Sequence, residues 1–192
     1  METKEAAIRM KTFFVSDTHF YHGKIIEYCN RPFNDVTEMN DVMIEHWNST
    51  VSSADTVYHL GDFAFGKFFN IYSVLEQLAG KIILIKGNHD RSVGAMKRAG
   101  FVDVTKSLSL ELDGVKLFLS HKPLIDAPYL KEQIDAADIH LCGHVHTRWK
   151  RHGKTINVGV DQWDFTPRTL DELLEAEESV EIEKGDDNAV QL

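Results

Sequence analysis

The stretch Lys81-Ile82-Ile83-Leu84-Ile85-Lys86-Gly87-Asn88-His89-Asp90 decides the fold. Its front half is a short apolar, β-branched run, as a buried strand requires, and its back half turns abruptly into a glycine, an amide, an imidazole and a carboxylate. The same pattern recurs twice toward the N-terminus. Thr12-Phe13-Phe14-Val15-Ser16 runs into Asp17-Thr18-His19, and Thr56-Val57-Tyr58-His59-Leu60 runs into Gly61-Asp62. Between the first pair lies a strong helical signal: Asp35 can cap it with Glu38 as capping-box partner, and Val36, Met39, Met43, Trp47 and Thr50 share one face. A second helix is predicted over about Asn70 to Ala79, with Ile71, Val74, Leu75 and Leu78 apolar and Gly80 placed to end it. Alternation of strand and helix implies parallel pairing with right-handed crossovers.

The second half reads differently. Leu108–Leu112 and Val115–Ser120 flank Asp113-Gly114, a strong hairpin signal. A helix around Leu130–Ala136 and strands at Ile139–Cys142 and Thr155–Val160 follow. Parallel βαβ units followed by antiparallel strands predict an α/β fold: two packed mixed sheets flanked by helices, a four-layer α/β/β/α sandwich.

With 192 residues, 43% hydrophobic and 27% charged, the chain suits one domain, expected over residues 1–180, with an acidic tail over 181–192. Net charge is −9, of which −8 falls in Asp171–Leu192, so the body is nearly neutral. That argues against a protein gripping long nucleic acid by charge alone. Leu170-Asp171-Glu172-Leu173-Leu174 has enough apolar content to pack on the body. Cys29 and Cys142 form no disulfide framework and no Cys-x-x-Cys pair. With no apolar signal core before Lys11 and no run near the ~20 apolar residues of a membrane span, a cytoplasmic address is expected.

The chemistry shows in where the metal-ligating residue types fall. Asp17 and His19, Asp62, Asn88 and His89, His121, and His144 and His146 each follow a predicted strand, five strand ends in succession. In open α/β sheets ligands bind beyond the carboxyl ends of the strands, so these ends should converge. Singly, Asp-x-His or Gly-Asp is most often a turn; the ordered set is what points to a metal site.

The order Asp-x-His, Gly-Asp, Gly-Asn-His-Asp, His, Gly-His-x-His resembles the calcineurin-like metallophosphoesterases, over roughly Phe13 to Leu174. The Ser-Asp-Thr-His-Phe opening is similar to small bacterial and phage-type members. Phe63-Ala64-Phe65-Gly66 follows Asp62 where the protein phosphatases continue into an acidic, Arg-containing run, so that activity is not expected.

The resemblance implies two divalent metal ions: Asp17, His19 and His146 around one, Asn88, His121 and His144 around the other, and Asp62 bridging. Imidazole and carboxylate without thiolate suit manganese, with iron and zinc compatible. Two divalent ions set against Asp17, Asp62 and one hydroxide leave a net charge of about +1, suited to attracting a phosphate ester.

The implied reaction is phosphoester hydrolysis by a metal-bridging hydroxide, with His89 protonating the leaving oxygen or stabilising the transition state, and Asp90 or another carboxylate orienting it. His22 and Arg31 are the expected substrate contacts, ahead of Lys24 and Arg91. Small phosphodiesters or nucleotides are the expected substrates, in a rather open site. A nuclease acting on single-stranded DNA or RNA is the alternative, and a catalytically silent protein-binding scaffold the reading from another class. Trp149, Trp163, Tyr58 and His59 are expected to pack, and Cys142 to be a small buried residue.

Overall fold

The computed structural model describes residues 10–179, so the expected tail over 181–192 lies outside the described residues. Strands β1 (Thr12–Val15), β2 (Thr56–His59), β3 (Lys81–Ile85) and β4 (Asp103–Thr105) pair in parallel. Helices α1 (Lys24–Tyr28) and α2 (Val36–Thr50) connect β1 to β2, α3 (Phe68–Leu75) leads to β3, and α4 (Val93–Ala99) to β4. The second sheet orders β5 (Ser107–Leu112), β6 (Val115–Ser120), β7 (Ile139–Cys142), β9 (Thr155–Asn157) and β8 (Arg151–His152). Helix α5 (Lys131–Ala136) lies between β6 and β7 in the chain. Strand β10 (Arg168–Thr169) returns antiparallel to β1, and α6 (Leu170–Leu174) follows it.

Strand alternation divides the core in two. Phe13 and Val15 of β1 face Met39, Met43 and Trp47 of α2 and Ile71 and Val74 of α3. Phe14, between them, points the other way, into an inter-sheet layer with Leu117, Leu119, Leu141, Ile156, Leu170 and Leu173. Burying both faces of the first sheet is what a parallel sheet requires. Trp47 Nε1 donates to Ala79 O at 2.9 Å, fixing α2 over the loop that enters β3.

Several expectations are corrected in detail. Asp35 caps α2, accepting from the N–H groups of Thr37 (2.8 Å) and Glu38 (2.9 Å), but Glu38 reaches past the cap residue and accepts from Asn34 N (2.6 Å) and Asn34 Nδ2 (2.8 Å). Helix α3 starts two residues earlier and ends at Leu75; Gly80, at φ +93°, makes the turn into β3 instead. The second sheet is not simply antiparallel: β6 pairs in parallel with β7, and β7 with β9. Strand β9 stops at Asn157 because Val158 changes sheets. Its N–H donates to Cys142 O (2.8 Å) in one sheet, and its carbonyl accepts from Ser16 N (3.0 Å) in the other. Strands β4, β8 and β10 are two or three residues long, too short for a period to show in the sequence. Asp113 (φ 52°) and Gly114 (φ 82°) both take the left-handed conformation that a two-residue hairpin turn demands.

Candidate metal centre and active site

The strand ends do converge. Asp17 and His19 follow β1, Asp62 follows β2, Asn88 and His89 follow β3, His121 follows β6, and His144 and His146 follow β7. Asp17, His19 and His146 present ligand atoms all within 4.8 Å of one another, as do Asp62, His121 and His144. Asp62 joins the groups: its Oδ2 lies 3.3 Å from His121 Nε2 and 3.7 Å from His19 Nε2. Asn88 Oδ1 is 2.9 Å from His121 Nε2.

The backbone is held open to make this possible. Asp17, His19, Asp62, His144 and His146 all have φ between 45° and 71°, the left-handed region. Such conformations cost roughly 1–3 kcal/mol each and persist where surrounding structure over-determines them. The motif glycines have a steric role. Gly61, at φ +100°, would carry a Cβ 2.6 Å from His121 Nδ1, and a Cβ on Gly143 would overlap Ser16 Oγ and Asp17 Oδ2.

Four of the candidate ligands, Asp17, Asp62, His121 and His146, are also aimed by hydrogen bonds. Asp17 Oδ2 accepts from Ser16 Oγ (2.5 Å) and His144 N (2.9 Å), leaving Oδ1 toward His146 Nε2 at 3.9 Å. Asp62 Oδ1 accepts from His89 N (2.9 Å), which frees Oδ2. His121 Nδ1 lies 2.8 Å from Leu60 O and His146 Nδ1 3.0 Å from Asp161 Oδ2, so both rings turn Nε2 inward. Nothing in the sequence marks Asp161, which lies beyond the motif in a short 3₁₀ turn, Val160–Gln162.

The residues fit a cation. Asp17 Oδ1 and His19 Nε2 are buried with no hydrogen-bond partner among the described residues, an expensive arrangement unless something else binds them. Burial pushes the Asp17 carboxyl up against the pull of His146. It takes His19 well below the usual imidazole range and, with His121 adding to it, His144 to about 3, so both rings are neutral, the form in which imidazole can bind a metal. Burial likewise opposes charge on His121 and His146, but Asp62 raises the former to about 9, and Asp17 and Asp161 raise the latter to about 11. Those protons offset the buried carboxylates, a task a divalent ion performs when it displaces them. Cys29, His146 and Asp161 form a third close group, but Asp161 is already committed to His146 and Arg31.

Two expected roles are corrected. Arg31 does not reach toward substrate; it is buried with its donors engaged inside the protein. Nε and Nη2 grip Asp161 at 2.8 and 3.1 Å, Nη2 also donates to Asp17 O (2.7 Å), and Nη1 to Thr18 O (2.9 Å) and Met39 Sδ (3.6 Å). Asp90 does not orient His89. Its carboxylate accepts the backbone N–H groups of Gly87 (2.8 Å), Asp62 (2.9 Å) and Phe63 (3.0 Å), locking the β3 loop to the β2 loop.

His89 lies half-buried on a cleft also lined by Asp62, His144 and His146, with Tyr28, Thr147 and Arg148 at its mouth. His22 stacks on Phe65 at 4.3 Å and lies 5.5 Å from the His19 ring. Its buried Nδ1 is without a partner among the described residues. Trp163 is buried and donates to Asn157 O (2.7 Å), and Cys142 is buried with its thiol raised well above the ordinary range by desolvation.

Ligand-rich strand ends on a double α/β sheet define a metal-dependent hydrolase scaffold. The chain belongs to the calcineurin-like phosphoesterase superfamily, whose domain matches residues 10–166. It is 38% identical over 186 residues to the uncharacterized protein MJ1445 of Methanocaldococcus jannaschii, covering 91% of this chain and 93% of that one. It is 28% identical over 181 residues to the gene 66 protein of Mycobacterium phage L5, covering 79% and 87% respectively. The crystal structure of AQ665, a protein of unknown function from Aquifex aeolicus, superposes with a TM-score of 0.72 at 28% identity, over 87% of this chain and 99% of that one. Among the described residues no helix is long and apolar enough to cross a membrane.

Proposed function

We propose that the protein hydrolyses small phosphodiesters or nucleotides at a two-metal site. Asp17, His19 and His146 would hold one cation, Asn88, His121 and His144 the other, with Asp62 shared. The observation that carries this is Asp62 Oδ2, which faces both groups while its other oxygen is tied to His89 N. Divalent ions there would lower the pKa of water and offset charge on the phosphoryl oxygens.

The remaining work falls to the chain. Asp161 and the Leu60 carbonyl keep His146 and His121 in their ligating orientation, and Arg31 holds Asp161 and the Asp17–Thr18 backbone in place. Asp90 fixes the loop that delivers Asn88 and His89. His89, on the cleft beside Asp62, protonates the leaving oxygen. Manganese is the expected ion, with iron or zinc accommodated by the same donors.

The test is to strip metal with a chelator, restore manganese, iron or zinc, and assay bis(p-nitrophenyl) phosphate against p-nitrophenyl phosphate. Manganese should restore diester cleavage, with the monoester poorer. His89→Ala should lower kcat by about 10²–10⁴-fold with metal content unchanged. Matching loss of metal would make His89 a ligand-supporting residue, and a monoester preference would overturn the diesterase assignment.

A further inference from the structure

A second cleft, of about 600 Å³, opens on the other flank of the same ligand cluster. Asn88 and His121 form part of its wall, and Lys86, Lys106 and Lys122 line it, with Tyr129 beside them. The lysines arrive from separate parts of the chain: Lys86 directly follows β3, Lys106 sits between β4 and β5, and Lys122 lies just beyond β6. No carboxylate lines the cleft, and none of these lysines is in an ion pair among the described residues.

In a body whose net charge is close to neutral, cations gathered without acids make a local positive field. A lysine ammonium is a strongly hydrated point charge suited to phosphate. The ring of Tyr129, 78% exposed, offers a stacking face on the same side.

We propose that this cleft is a subsite for a second phosphate group of the substrate, so that the favoured substrate is a nucleotide or short oligonucleotide carrying a phosphate beyond the scissile one. The inference rests on the neighbouring cluster being the seat of the scissile ester. Lys106 and Lys122 supply the main contacts; Lys86 Nζ is partly engaged, donating to Gly87 O at 2.8 Å.

The experiment is calorimetric titration of the metal-restored protein with thymidine 3′,5′-bisphosphate and with thymidine 5′-monophosphate. It uses wild type, Lys106→Gln/Lys122→Gln, and a charge-matched control, Lys81→Gln/Lys97→Gln, whose lysines do not line the cleft. The bisphosphate should bind wild type and the control at least about tenfold more tightly than the monophosphate, and that advantage should vanish in the cleft variant. Equal affinities in wild type, an advantage surviving in the cleft variant, or its equal loss in the control would each overturn the subsite. A pair of dinucleotides with and without a 5′-phosphate distinguishes a strand from a mononucleotide as the source. If neither bis(p-nitrophenyl) phosphate nor either dinucleotide is cleaved while the bisphosphate contrast holds, the hydrolase reading falls and the cleft is a phosphate-binding site without a substrate role.

Discussion

Arg31 illustrates how a single residue can be misjudged from its neighbours in sequence. Asn30-Arg31-Pro32-Phe33 has the character of an exposed loop, and an arginine on such a loop near a phosphoester site invites a substrate role. Yet the guanidinium is 5% exposed and spans Asp161 and two backbone carbonyls. Arg31→Ala should therefore lower stability by about 3–5 kcal/mol in urea denaturation, because buried Asp161 loses its guanidinium partner and the Asp17 and Thr18 carbonyls lose their donors. Arg31→Lys should recover only part of it, since one ammonium cannot make a forked contact and reach both carbonyls. A rise in KM at unchanged stability would show instead that the side chain meets substrate.

At the scale of elements, His140 ties the second sheet across its middle. From β7 its Nε2 lies 2.8 Å from Ser120 Oγ at the end of β6, and its Nδ1 lies 3.3 Å from Thr155 Oγ1 on β9. Ser120 spends its own hydroxyl proton on Lys122 O, so the imidazole must donate from Nε2 and accept at Nδ1, the neutral tautomer. Burial, assisted by Lys154, lowers its pKa to about 4. The sign follows: below about pH 6.5 the unfolded chain takes a proton that the folded chain refuses, so stability is present at neutral pH and lost as pH falls. The loss should reach about 3 kcal/mol by pH 4. Urea midpoints at pH 7, 5.5 and 4.5 check this, with His140→Gln expected to show a shallower decline. Identical pH slopes in the two proteins would rule His140 out as the titrating group.

For the whole molecule, metal and fold are linked. The candidate ligands come from both sheets, so an ion bound among them would tie β1, β2 and β3 to β6 and β7. A ligand at a hundredfold excess over its Kd adds about 2.7 kcal/mol of stability, worth roughly 5–10 °C of Tm at this size. Manganese added to chelator-treated protein should raise Tm by that order. Asp62→Asn, which removes the carboxylate facing both groups, should abolish most of the rise. A Tm indifferent to metal in the wild type would mean that the converged side chains do not bind it.

The sequence by itself determined the parallel opening, the long helix α2, the β5–β6 hairpin and the identity of the converging strand ends. These are written locally, in apolar period, cap and turn chemistry, and in polar residues that interrupt each strand at the same place. Only the tertiary structure decided what stands behind and beside the site. Asp161 supports His146 across 15 residues, Arg31 reaches Asp161 across 130, Asp90 clamps two loops by their backbones, and three lysines from separate segments share one cleft. Local sequence carries no trace of such contacts, because their partners are brought together by sheet order and crossover geometry, and hydrogen bonds to backbone groups leave no residue type to recognise.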